Sequence, residues 1–224
     1  FDCGQDFHGA VKLALGWAAW KTYLGRPERD AYRLVTMGIL GSALRENRRP
    51  EEALPVLEAN LALIRRYGSH STASVLNAQN NVANCLYDLE LHDQALVLRR
   101  KIYARWVLMF GVSHQDTIMS GTNLSVSLRS RGLWGEATTL VRDQLLPAAR
   151  PLLGADHRLT LTLSQNLVGV LLGNPKRTRD DLLEGEIIMQ DVVQRRRRVF
   201  GPAHPDTIKT ERGLSHLRAL LARA

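Results

Sequence analysis

Apolar residues recur along this chain at helical spacing, and glycine, proline or a polar cluster interrupts them at regular distances. Between Thr72 and Glu90 they are Val75, Leu76, Val82, Ala83, Leu86 and Leu89, which share one side of a helix. His92 and Asp93 mark a turn. A second stripe follows, made of Ala95, Leu96, Leu98, Ile102, Trp106 and Met109, and it predicts a helix over 93–110 closed by Gly111. The same grammar predicts helices over 30–47 and 50–67, with Pro50 in a first turn and Gly68 as the stop. It continues with 116–131 and 135–153, stopped by Gly154, and with 160–172 and 180–200, stopped by Gly201. The chain opens inside a helix over 9–24, closed by Gly25, and ends inside one over 206–223. No strand pattern occurs, and no linker is long enough to split domains.

The small residues keep a fixed interval. Ala53, Ala95 and Ala137 follow one another at the same spacing, and Ala10 precedes Ala53 by that spacing plus one. Gly41, Ala83 and Ser125 run in step twelve residues earlier, and Val168 follows after the same spacing plus one. Such periodicity is the mark of a repeat array. Helices approach most closely where their side chains are smallest, so Gly41 is expected opposite Ala53, Ala83 opposite Ala95, and Ser125 opposite Ala137. Leu40, Val82, Leu124 and Leu167 then fill the space between helices. The interval from Ala137 to its counterpart Gly185 is longer, so roughly five or six extra residues enter around 173–179, expected as a surface loop. The predicted organisation is one array over 1–224: a partial repeat over 1–25, repeats over 26–68, 69–111, 112–154 and 155–201, and a partial repeat over 202–224. Both ends cut through a repeat, so the chain is expected to be a piece of a longer one.

Composition narrows the function. The 224 residues carry 45% hydrophobic and only 6% aromatic content, and the net charge is +8. That charge suits acidic partners without choosing among peptide, nucleic acid and anionic surface. The two cysteines, Cys3 and Cys85, have no CxxC spacing. They argue against a zinc site or disulfide framework and for a cytoplasmic, intracellular setting, with a nuclear one as the alternative. The apolar stretch Val11 to Trp20 is interrupted by Lys12 and is shorter than the roughly 20 residues a membrane span needs. Nothing at Phe1 resembles a signal peptide.

Three motif elements recur in register. Gly111-Val112-Ser113-His114-Gln115-Asp116-Thr117-Ile118, Gly154-Ala155-Asp156-His157-Arg158-Leu159-Thr160-Leu161 and Gly201-Pro202-Ala203-His204-Pro205-Asp206-Thr207-Ile208 form the joints between repeats. Asn80-Asn81-Val82-Ala83 and Asn123-Leu124-Ser125 are a second element, and Gly132-Leu133-Trp134-Gly135-Glu136-Ala137 is a third. In these the chain resembles the tetratricopeptide repeats of the long, kinesin light chain-like type. The resemblance covers nearly the whole chain. Repeat 2 departs from it, since Thr72 follows His70 by two residues rather than three, and repeat 1 lacks the histidine. HEAT-type helical pairs have a similar period but do not explain the Gly-x-x-His-x-x-Thr joint. The resemblance implies an all-α, right-handed α-solenoid of antiparallel helix pairs.

Few residues offer chemistry of their own. His70, His114, His157 and His204 sit in equivalent joints, too far apart along an array to share a metal, so each His and its following Thr is expected to order a turn and cap a helix. No nucleophile with a placed base, phosphate loop or paired carboxylates appears, so no enzyme activity, metal or cofactor is expected. Arg195-Arg196-Arg197-Arg198 could contact nucleic acid. However, consecutive helical residues fan about 100° apart, and no aromatics interleave to stack bases. The polar set of the first helices says more. Taking the small residue as reference, positions six, three and two before it, and one after, place Asn77, Asn80, Asn81 and Asn84 on one face in repeat 2. They place Thr122 and Asn123 there in repeat 3, Gln165 and Asn166 in repeat 4, and Lys209 and Arg212 in the last helix. In the resembled family such a face lines a concave groove, and asparagines bind the backbone of a ligand. Arg129, Lys209 and Arg212 would make the C-terminal half basic.

The expected function is therefore a non-catalytic protein–protein interaction module that holds an extended peptide or protein tail, with an acidic segment favoured. The alternatives are a structural scaffold subunit of a larger assembly and, less favoured, nucleic-acid binding through the arginine-rich helix.

Overall fold

The computed structural model of the chain describes residues 10–67 and 71–223. Ten helices and no strand occur among them. They are α1 (Ala10–Tyr23), α2 (Ala31–Glu46), α3 (Pro50–Tyr67), α4 (Thr72–Asp88), α5 (His92–Phe110), α6 (Gln115–Ser130), α7 (134–153), α8 (Arg158–Gly173), α9 (Arg179–Phe200) and α10 (Pro205–Leu221). The all-α fold of consecutive helix pairs expected from the periodicity is therefore present. The segments 1–9 and 68–70 lie outside the described residues, and with them Cys3, the Gly68 stop and the joint histidine His70.

The joints between repeats follow one local design. His114, His157 and His204 are N-cap residues whose Nδ1 accepts the backbone N–H two residues on, from Asp116, Leu159 and Asp206, at 3.1–3.2 Å. Each bond satisfies one of the amides that a helix start leaves unpaired. The glycines ahead of them, Gly111, Gly154 and Gly201, have φ between 77° and 89°, the left-handed region where a Cβ is penalised. The threonines of the motif depart from expectation. Thr117, Thr160 and Thr207 are buried in the third helical position, and their hydroxyls cap nothing.

The turns inside repeats are also copies of one another. Leu44 O, Leu86 O and Leu128 O accept from the N–H groups five residues on, of Arg49, Leu91 and Leu133, at 2.9–3.1 Å. These are Schellman closures. The left-handed position falls on Arg48, Glu90 and Gly132, at the same spacing as the buried alanines.

Helix α7 departs from what its stripe predicts. It runs α-helical over Trp134–Thr139, π-helical over Leu140–Leu145 and α-helical again over Leu146–Leu153. A π turn absorbs one extra residue. The interval from Gly111 to Gly154 exceeds that from Ala95 to Ala137 by one, so the extra residue lies within α7. The remaining extra residues stand between α8 and α9. That loop is built: Asn174 Oδ1 accepts from Lys176 N, and Thr178 and Asp181 form a capping box. Trp134 packs on Gly173, where an added Cβ would lie 2.7 Å from the indole.

The residues fall into two compact bodies, one through Ile102 and one from Tyr103. The first is centred on Leu34, Leu40, Leu44, Leu57, Val82 and Leu86, and the second holds a cluster of Val168, Met189, Val193, Leu214 and Leu217. Burying each such side chain stabilises by about 1.5–3 kcal/mol relative to leaving it exposed. Ala53, Ala83, Ala95 and Ala137 are fully buried, as the interval requires. Their pairing is more varied than expected. A Cβ on Gly41 would meet Leu57 at 2.5 Å, so Leu57, one turn beyond Ala53, fills that space. In repeat 4 the two register positions do face each other: a Cβ on Gly185 would lie 3.5 Å from Val168, and equally far from Leu217.

Candidate functional site

A groove of about 550 Å³ opens in the first body. Helix α2 contributes Val35, Gly38, Ile39 and Ser42, and helix α4 contributes Asn77 and Asn81. Val35 and Ile39 are 59% and 44% exposed, although both are β-branched aliphatics. Leu34 and Ile64 close the groove from beneath, and Asn60, itself buried, ties α3 to α2 by donating to Leu34 O at 2.7 Å. Lys12 and Glu46 pair across one end at 2.5 Å. The lining is thus mainly apolar, with two amides on one wall.

The four α2 residues occupy, in repeat 1, the same register as the asparagines of repeat 2. They lie six, three and two positions before Gly41 and one after it. Applied only from repeat 2 onward, that register does not reach them. Carried back by one repeat, it finds all four.

The other expected groove residues meet different surroundings. Asn84 is half-buried, and its Oδ1 accepts from Arg99 Nη2 at 2.9 Å. Arg99 is itself buried and stacks over the Tyr87 ring at 4.8 Å, and desolvation pushes its pKa down to about 10. Arg99 therefore holds Asn84 from below. Asn80 and Asn123 are half-buried. Thr122 is buried and donates to Ile118 O of its own helix at 2.7 Å, so its hydroxyl is committed internally. Asn166 makes a long contact, 3.5 Å, to Ser125 Oγ. Gln165 donates to Thr210 and accepts from Arg196 Nη2 at 2.8 Å, which makes it part of the packing between α8, α9 and α10. Arg129 lies flat across α8 because residue 169 is glycine; a Cβ there would be 2.5 Å from Arg129 Nη1. Lys209 and Arg212 are exposed on α10.

The arginine run behaves as a set of staples. Arg195 bonds Asp191 at 2.7 Å and Asp156 at 2.8 Å, and Arg198 also reaches Asp156. These two arginines hold the Asp156 carboxyl below the usual range. Arg197 pairs with Glu211 at 2.6 Å. Arg196 is 4% exposed and donates to Asp206 O, Thr210 and Gln165. All four charges are thus engaged inside the second body. Among the described residues no cluster of His, Cys, Asp and Glu could hold a metal ion, and no helix is long and apolar enough to cross a membrane.

Comparison with known proteins places this arrangement. The family model for the tetratricopeptide repeat matches residues 176–206. No curated protein matches the chain by sequence. Among solved structures, BtubC (BKLC) from P. vanneervenii is similar with a TM-score of 0.75 at 11% identity, over 95% of this chain and 84% of that one. The nearly identical TPR-like repeats of a kinesin light chain candidate from Podosopora anserina give a TM-score of 0.62 at 18% identity, over 83% and 86%. A Rap protein complexed with Competence and Sporulation Factor gives 0.60 at 16% identity, over 94% of this chain and 59% of that one. The fold is that of kinesin light chain-like tetratricopeptide repeat arrays.

Proposed function

We propose, from this fold, that the chain is a non-catalytic protein-interaction module, one array that holds an extended peptide or protein tail along its first helices. The observation that carries the reading is the groove between α2 and α4, where Val35 and Ile39 stay exposed at positions in register with Asn77 and Asn81. Exposed aliphatics at repeat-matched positions suit side chains of a ligand, and the neighbouring amides suit its backbone, since each amide offers two donors and an acceptor. The Rap protein of similar fold was solved with a factor bound, which supports the use of this architecture for ligand capture. Lys209 and Arg212 on α10 favour acidic residues in the part of the ligand that reaches them.

The test is a screen of the purified protein against extended peptides, repeated with Val35→Asp/Ile39→Asp and with Asn81→Ala. Both aliphatics are exposed, so the double variant should fold. A groove ligand should lose at least tenfold in affinity in the first variant and several-fold in the second. Retention of every hit in both variants would sink the groove reading and leave the scaffold-subunit reading.

A further inference from the structure

The second helices α7 and α9 leave another groove between them, of about 420 Å³, in the second body. Leu146 of α7 and Ile188 of α9 line it, with Leu167 of α8 beneath. Arg142, Arg150 and Glu184 complete its rim. Arg142 Nη2 donates to Glu184 Oε2 at 2.6 Å, so those two charges cancel. Arg150 is exposed, and no carboxylate among the described residues pairs with it. Beside the groove on α9, Leu183 and Ile187 are 43% and 69% exposed and one helical turn apart.

We infer that this groove is a second docking surface, and that its occupant is an amphipathic helix of a protein partner carrying a carboxylate opposite Arg150. Two side-by-side helices with an apolar seam between them accept a third by ridge-into-groove packing. Such recognition reads apolar residues at i, i+3 or i+4 and i+7. The flanking Leu183 and Ile187 extend the apolar area beyond the seam, which an extended strand would leave uncovered. Charge selects the acidic partner: among the described residues the rim carries one uncompensated cation, in a chain of net charge +8. A second copy of this chain would bring the same cation and the same net charge to the contact. None of these residues belongs to the groove between α2 and α4.

The probe is a synthetic amphipathic helix with leucines at i, i+4 and i+7 flanked by glutamates, compared by fluorescence anisotropy with the same peptide carrying lysines. The glutamate peptide should bind at least tenfold more tightly. Arg150→Glu should reverse that order, and Leu183→Ser/Ile187→Ser should weaken binding several-fold at unchanged melting temperature. Val35→Asp/Ile39→Asp should leave it unchanged. The inference is overturned if the glutamate peptide does not bind, if the two peptides bind equally, or if Arg150→Glu has no effect. It is also overturned if binding follows Val35 and Ile39 instead. A dimer in sedimentation that Ile187→Ser dissolves would assign the surface to self-association and overturn it too.

Discussion

At the scale of single residues, the repeats place different side chains in one register, and the differences are measurable. Arg48 and Glu90 hold the left-handed position that Gly132 holds in the next copy. A non-glycine residue there is strained by about 1–2 kcal/mol, and part of the gain from glycine returns as unfolded-state entropy. Glu90→Gly should therefore raise stability by about 0.5–1 kcal/mol in urea unfolding, and a loss would contradict the strain. Gly173→Ala should act oppositely. Its Cβ meets the Trp134 ring at 2.7 Å, and displacing a packed indole costs on the order of 1–3 kcal/mol. Asp156 gives a pH test. Its carboxyl is lowered in the folded state, first by Arg195 and then by Arg198, so the stability it adds is present above its ordinary value of about 3.9 and fades as pH falls through the lowered one. Asp156→Asn should melt below the wild type at pH 7 and converge with it in strong acid.

At the scale of elements, helix limits were legible to within a residue or two, because each is set by groups a few positions away. The Asp30 cap of α2 bonds Arg33 N, the joint histidines bond the amide two residues on, and the Schellman turns at Arg48, Glu90 and Gly132 close α2, α4 and α6 locally. The stripes were less reliable. Met109 was expected in the core of α5 and is 43% exposed, while Arg99, polar by its chemistry, is 5% exposed. Arg99 occupies the register of Leu57, Val141 and Met189, and what lets it do so is Asn84 and the Tyr87 ring, partners from another helix. The π turn of α7 was written in the sequence as one residue too many between Ala137 and Gly154, yet its location needed the backbone. Its last residue, Leu145, fills the space at Gly121, where a Cβ would be 2.6 Å away. Ala137→Leu, on the first turn of that helix, should overpack and destabilise by about 1–3 kcal/mol, and a neutral result in thermal unfolding would contradict close packing there.

At the scale of the whole molecule, the net charge of +8 does not concentrate where the sequence is most basic. The four consecutive arginines are engaged by Asp156, Asp191, Glu211 and the Gln165–Thr210 pair, while Lys209, Arg212 and Arg150 remain exposed. A fluorescent DNA duplex should therefore show only weak association that falls steeply with salt, and Arg197→Ala/Arg198→Ala should weaken it no more than Lys209→Ala/Arg212→Ala. Tight binding abolished by the first pair would restore the nucleic-acid reading. The sequence by itself determined the repeat, its period, the helices and their caps, because these depend on side-chain size and on hydrogen bonds between residues close in the chain. Tertiary structure decided which polar residues remain available. Gln165 is spent on Thr210 and Arg196, whereas Val35 and Ile39 meet no covering helix among the described residues and stay open. Those outcomes depend on partners tens of residues away, and a pattern read along one chain carries no record of which side chains meet across it.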